Sequence, residues 1–386
     1  MSIDSRDKTA TNEELIELVK TEVNNRENNE DTSSPIVDKS KRRLTRLSGK
    51  AFRPIILSFL LTIIVFPGLL RAQLTGSVSV GARYSDNVFA LSDYDFERLD
   101  QEHPDLDFVE TSDDLSMLAN VDLGYKINYK WWRFTPSVSA TISENLQNKE
   151  KYRRDALLRF RVDRYYWNFT ALYGYYPHTY VRNYTDSDGT GNSEKFVYAK
   201  DLFRGDLNIR PFTNTSIRLN GRYETYRYNE FFTEFDSDAT TLGGSLRHNF
   251  PYFGVEAGYY YKVLENSNTI TDPLDDSSYE SNEYEVILLM KKMLLDNNKP
   301  RGATWQPSVE LSYEERFFQG SDDWYGGRID KIYGLRGTLS FDLTKAMNLN
   351  LDYSHVNRNI ESPSATVRRL KEYSENRLSA SLSYKF

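Results

Sequence analysis

The sequence predicts an all-β chain: a transmembrane antiparallel up-and-down β-barrel of about 14 strands, with 12 or 16 also compatible. Three observations predict it. Apolar and polar residues alternate strictly in many segments after residue 73. The connections between these segments alternate long and short. The chain ends on an alternating segment whose last residue is Phe386. Successive side chains on a strand point to opposite faces, so strict alternation builds one apolar and one polar face.

The last segment shows the pattern most clearly. Leu378, Ala380, Leu382, Tyr384 and Phe386 share one face, and Arg377, Ser379, Ser381, Ser383 and Lys385 share the other. Val78, Val80, Ala82 and Tyr84 alternate with Ser77, Ser79, Gly81 and Arg83 near the start, and Phe134 to Ile142 and Trp305 to Tyr313 repeat the template. The predicted strands are 76–90, 114–128, 131–145, 153–165, 167–181, 196–210, 214–229, 238–250, 253–266, 280–294, 303–317, 329–343, 346–360 and 372–386. The run Ile287, Leu288, Leu289, Met290 would also suit a short helix. Long connections such as 91–113 and 267–279 alternate with short ones such as 129–130 and 344–345. Long extracellular loops and short periplasmic turns are the asymmetry of outer-membrane barrels. Trp131, Trp132, Trp167, Trp305, Tyr165, Tyr166, Phe212, Tyr252 and Phe253 fall at the predicted periplasmic ends. Aromatic rings collect there because an apolar ring with a polar tip suits the headgroup layer.

Composition agrees with a barrel. The 386 residues include 28 Tyr and 21 Phe, yet 27% are charged. A barrel with a polar interior needs only one apolar face per strand and looks hydrophilic on average. Cysteine is absent, which excludes disulfides, thiolate metal sites and cysteine nucleophiles.

The N-terminal part reads differently. Lys39, Lys41, Arg42, Arg43, Arg46, Lys50 and Arg53 precede an apolar run at 55–70, broken by Pro67-Gly68. That run is shorter than the roughly 20 residues a spanning helix needs. Basic flank, short apolar run and a small residue before the cut describe a secretory signal peptide over 39–72, cleaved between Ala72 and Gln73. Residues 1–38 are polar, and read either as a disordered extension or as a start codon assigned too far upstream. The mature chain, 73–386, would carry 37 basic and 46 acidic residues, net −9. That balance disfavours nucleic acid as a partner.

The alternating Leu378, Ala380, Leu382, Tyr384 and Phe386 resemble the C-terminal β-signal of bacterial outer-membrane proteins. The resemblance implies assembly by the barrel-assembly machinery and contact with outer-membrane lipid and lipopolysaccharide. Tyr84-Ser85-Asp86-Asn87-Val88-Phe89 resembles the Tyr-Asp-x-Asn-apolar-Phe opening of bacterial β-barrel porins, including those encoded near exopolysaccharide genes; Ser85 stands where that pattern often has Asp.

No catalytic set can be assembled. Ser354 and His355 are adjacent on a predicted strand, so they point to opposite faces and cannot share a proton. His178 and His248 have no ligand pair, so no metal site and no cofactor are expected. The acidic loops (Asp93, Asp95, Glu97, Asp100, Glu102, Asp105, Asp107 and Glu110; then Asp272, Asp275, Asp276, Glu280 and Glu283) read as a solvated extracellular surface. The polar faces are more specific. Arg159, Arg161, Arg204, Arg210, Arg218, Arg222 and Arg247 form a basic arc on the predicted lumen side. Glu256, Glu285, Glu310 and Glu314 form an acidic arc, roughly opposite. Local pairing of the arginines with Asp163, Asp206 or Glu224 is the competing reading. The expected function is a non-enzymatic, porin-like channel for small polar or anionic solutes. The alternative is a structural or assembly component of envelope or exopolysaccharide export with an occluded lumen.

Overall fold

The computed structural model describes residues 71–186, 189–267, 276–295 and 302–386. The extension 1–38 and nearly all of the signal segment lie outside the described residues. The strands of the described residues form one antiparallel sheet closed on itself. Its strands are β1 (Arg71–Ser85), β2 (Asp114–Tyr129), β3 (Trp132–Asn145), β4 (Arg153–Asp163), β5 (Trp167–Thr185), β6 (Ser193–Phe212), β7 (Thr215–Tyr228) and β8 (Ser237–Asn249). They continue with β9 (Phe253–Asn266), β10 (Tyr279–Met290), β11 (Met293–Leu294), β12 (Thr304–Phe318), β13 (Ile329–Asp342), β14 (Met347–Glu361) and β15 (Tyr373–Lys385). Each long strand pairs with the next, β10 pairs directly with β12, and β1 pairs with β15. The two-residue β11 continues the β10 edge beyond Lys291-Lys292, facing Trp305 and Thr304. The barrel therefore has 14 staves. The 280–294 segment is strand and not helix, because its alternation holds: Tyr284, Val286 and Leu288 are exposed outside while Tyr279 and Ser281 are buried inside.

Local sequence explains the faces. Leu74, Val78, Val80, Met117, Leu219, Leu242 and Leu311 all project from the outer wall. Such a continuous apolar belt belongs against acyl chains and not water. At the short-turn rim, Trp131 is 82% exposed, Tyr165 83% and Tyr252 78%. Trp132 packs edge-on against Trp167 at 5.7 Å, so the aromatic girdle lies where the sequence placed it.

The ring closes between the two ends of the sheet. β1 and β15 run in register from Ser77 opposite Lys385 to Ser85 opposite Arg377. Phe386 and Gly76 exchange backbone hydrogen bonds of 3.0 and 3.1 Å. A Cβ on Gly76 would stand 2.5 Å from the Phe386 ring, so the terminal ring occupies the space a side chain would take.

The first strand differs from expectation. It starts at Arg71 and ends at Ser85, not at residue 90. The chain turns inward there because Asn87, 2% exposed, is tied on three sides. Its side chain donates to the carbonyls of Leu91 (2.8 Å) and Ser374 (2.9 Å) and accepts from Leu91 N (2.7 Å). The loop that follows carries helix α1 (Asp93–Asp100), closed by a capping box between Ser92 and Asp95.

Candidate lumen and vestibule sites

Among the described residues, chambers lie on the inner wall near each end. The first, about 670 Å³, sits beside the 213–214 turn. It is lined by Arg161, Arg204, Arg210, Arg218 and Arg247, with Asp206 the one carboxylate on its wall. Alternation places these arginines there: on β6 and β7, the residues between them, Phe203, Ile209, Ile217 and Leu219, are exposed outside. Pairing divides them. Arg161 binds Asp163 at 2.7 Å and Arg204 binds Asp206 at 2.8 Å, each two residues along the same face. Arg218 lies 3.4 Å from Glu256, and Arg159, outside the chamber, lies 3.9 Å from Asp122. Among the described residues Arg210, Arg222 and Arg247 have no carboxylate within 4.0 Å; Arg247 donates instead to Asn249 at 3.1 Å.

The acidic residues do not oppose this arc; they adjoin it. Arg247 of β8 pairs in register with Glu256 of β9, and Ser245 donates to Glu256 at 2.6 Å. Neighbours in sequence are neighbours in an up-and-down ring, so strands β4–β8 and β9–β12 meet at the β8–β9 boundary. Glu285 of β10 lies beside the Tyr260 hydroxyl at 3.5 Å, Glu310 faces Ile287 and Arg336 across its two ladders, and Glu314 binds Arg316 at 2.8 Å. Glu224 takes Lys200 at 3.1 Å and none of the seven arginines.

The second chamber, about 540 Å³, lies at the long-loop end. Its walls come from inward positions near the tops of β6, β7, β9, β10 and β12, from the 319–328 loop, and from helix α2 (Ala365–Lys371). Eleven of its lining residues are Tyr, Phe or Trp, five are Lys or Arg, and Glu234 is the one carboxylate on its wall. The cations stand over the rings: Lys262 over Tyr279 (5.3 Å) and Tyr226 (6.0 Å), Arg328 over Phe318 (4.5 Å), Lys371 over Tyr184 (4.9 Å) and Trp324 (5.0 Å). Arg328 and Arg358 converge on one fully buried carboxylate, Asp330. Burial in α2 holds the Lys371 ammonium below the usual lysine range, and the Tyr184 hydroxyl partly offsets this.

The first loop folds against the inner wall beside this chamber. Phe89, Leu91, Leu106 and Val109 bury with Tyr180 of β5 in one apolar cluster. Asp95, 0% exposed, is held by both terminal nitrogens of Arg182 at 3.1 Å. The Arg369 guanidinium of α2 covers the Tyr94 ring at 3.7 Å, which ties the first and last loops together. The acidic first loop is therefore not simply a solvated surface; its apolar residues seat it. Of the fifth-loop carboxylates, Asp272 and Asp275 lie outside the described residues, and Glu280 and Glu283 belong to β10.

The sequence reading missed the aromatic chamber because it followed Arg and Glu alone. The signal was present: Tyr226, Tyr228 and Tyr279 occupy the polar face of their strands, where a purely solvated wall has no need of rings. Among the described residues no cluster of three or more His, Asp or Glu could hold a metal ion. His355 lies on the outer face, its Nδ1 2.9 Å from the Asn376 side chain.

These features define an outer-membrane β-barrel with a polar, charged inner wall. No protein family matches the chain, and no curated protein does. Similar solved structures include a bacterial polysaccharide outer membrane secretin, with 9% identity, TM-score 0.44 and coverage of 80% of this chain and 98% of that one. An anion-selective porin from Comamonas acidovorans has 7% identity and TM-score 0.42, covering 82% and 100%. OmpT, an outer membrane protein of Vibrio cholerae, has 8% identity and TM-score 0.40, covering 82% and 97%. The barrel is defined here by its own closed ladder.

Proposed function

We propose that the protein is a non-enzymatic, porin-like channel through which small polar or anionic solutes diffuse across the outer membrane. The observation that carries the reading is the periplasmic-end chamber, whose wall holds five arginines and one aspartate. Selectivity follows charge at a constriction more than total charge, because loop charges are screened beyond about 8 Å at physiological salt. Anions are therefore favoured despite the acidic chain. The test is planar-bilayer recording in a salt gradient. Arg210→Ser with Arg247→Ser removes two guanidinium groups that have no carboxylate partner among the described residues, and should move the reversal potential toward cation preference. An unchanged potential would set anion selectivity aside.

A second reading rests on the seated first loop. A barrel whose first loop is seated on Tyr180 of the inner wall through Phe89, Leu91 and Leu106 suits a structural or assembly role in envelope or exopolysaccharide export, with the lumen closed. Absence of any conductance in the same recording favours it. On either reading, insertion through Leu378, Ala380, Leu382, Tyr384 and Phe386 by the barrel-assembly machinery, after cleavage between Ala72 and Gln73, is part of the proposal.

A further inference from the structure

We propose that the aromatic chamber at the extracellular end is a binding site for a sugar acid, a hydroxylated ring that carries a carboxylate. Its volume of about 540 Å³ lies within the range of small-molecule pockets, about 300–1,000 Å³. A solute arriving from outside meets it before the arginine chamber.

Charge selects the carboxylate. Among the described residues neither Lys262 nor Lys371 has a carboxylate within 4.0 Å; each touches a tyrosine hydroxyl instead, Tyr279 at 2.9 Å and Tyr184 at 3.2 Å. Arg328 and Arg358 share the single carboxylate of Asp330, which leaves one positive charge over. A half-buried cation held only by a hydroxyl and a ring face gains from an anionic partner, because in a low dielectric a charge-assisted hydrogen bond is about twice as strong as a neutral one.

Ring occupancy selects the hydroxyls. The faces of Tyr226, Tyr279, Phe318, Tyr184 and Trp324 are already covered by Lys262, Arg328 and Lys371. A flat apolar ring would have to displace these cations in order to stack there, and the other lining rings Phe196, Tyr198, Tyr228, Phe232 and Phe235 are packed on one another. Ring edges, hydroxyl groups and ammonium heads remain on offer, and these match a saturated ring that presents C–H groups, several hydroxyls and one carboxylate.

The test is calorimetric titration of the folded barrel in detergent with D-glucuronate, D-glucose and benzoate. Binding is read without current, so its outcome is separate from whether the barrel conducts. Glucuronate should bind about tenfold or more tighter than either control, the size of one charge-assisted hydrogen bond. Lys262→Gln and Lys371→Gln should each weaken glucuronate by a similar factor, with heat-modifiable gel mobility confirming the folded barrel. Lys345→Gln, in the exposed turn between β13 and β14 and in neither chamber, should leave binding unchanged. If Lys371→Gln fails to fold, Lys262→Gln decides alone. Equal binding of glucose, tighter binding of benzoate, no heat with glucuronate, or loss of binding in Arg247→Ser but not in Lys262→Gln would each overturn the proposal.

Discussion

At the scale of single residues, the two faces of each strand make opposite demands. Leu382 projects from the outer wall, 38% exposed, while Ser383 beside it hydrogen-bonds Ser79 inside at 2.8 Å. A lysine on the lipid face costs about 2–4 kcal/mol at the bilayer midplane and about 0–1 near the interface. Leu382→Lys should therefore reduce the heat-modifiable, folded fraction, while Ser381→Lys on the inner face should spare it. Equal assembly of the two variants would contradict this register. Gly76→Val should also lower the folded yield, because its branched side chain meets the Phe386 ring. A third residue responds to protons. Lys151, between β3 and β4, sits 4.3 Å over the Phe89 ring. Burial, then the nearby Arg182 guanidinium, lower its ammonium to about 7. Below pH 7 Lys151 is protonated whether the first loop is seated or lifted, and the buried charge opposes seating in full. As pH rises from 7 toward the ordinary value of about 10.5, the seated form gives up its proton and the lifted form keeps it. Seating should therefore strengthen across that window, by at most about tenfold per pH unit. Hydrogen exchange in 86–113 should slow from pH 7 to 9 after correction for intrinsic rates, and Lys151→Met should abolish that pH dependence.

At the scale of elements, most strand positions were legible because alternation is a local property. β9 occupies 253–266, the range expected, and β4 and β8 shift by a residue or two. The first strand was misplaced at its end because Val88 returns to the apolar parity of Val78 to Tyr84 while the backbone has already left the sheet. What stops the strand is Asn87, whose contacts reach Ser374 near the other end of the chain. That partnership has no sequence signature beyond the Asn itself. Asn87→Ala would leave the buried Leu91 N–H and carbonyl without their side-chain partner, each costing about 1–3 kcal/mol, and would cut the tie to the Ser374 carbonyl. The first loop should then detach, and limited proteolysis of proteoliposomes should cut within 91–110 faster than in the parent protein. A cut rate equal to the parent's would show that Phe89 and Asp95 seat the loop without Asn87.

At the scale of the whole molecule, the number of staves follows from alternation combined with the long–short rhythm of connections. The charge pattern was only half legible. Which arginines share a wall can be read from the two-residue period. Which carboxylates they meet depends on register between strands, as in Arg218 with Glu256 across β8. The aromatic chamber needs more still, since it gathers side chains from Tyr184 to Lys371, nearly half the chain apart. Arg182→Ala tests how far this end acts as a unit. It strips the buried Asp95 of its closer guanidinium and leaves Arg98 at 3.7 Å, and removing one member of a buried ion pair costs up to about 3–5 kcal/mol. Hydrogen exchange should accelerate in 86–113 and in 362–372 together. Acceleration confined to the first loop would show that Arg369 and Tyr94 do not couple the two.

The meeting of β1 with β15 has a consequence for how the chain folds. Ser79 and Ser383 stand 304 residues apart in sequence, whereas every other long-strand pair joins neighbours along the chain. Bringing such distant ends together costs roughly 5 kcal/mol of loop entropy if the intervening chain is flexible, from the logarithmic dependence on length. Prior formation of the thirteen intervening hairpins shortens the free path and removes most of that cost. Closure is then the final event, and the seam is also the shorter ladder of β1, which meets β2 from Arg71 but β15 only from Ser77. Refolding followed by both hairpin-level infrared signal and heat-resistant mobility should show the second lagging the first. Substitutions at Tyr384 should lengthen that lag without touching the earlier phase.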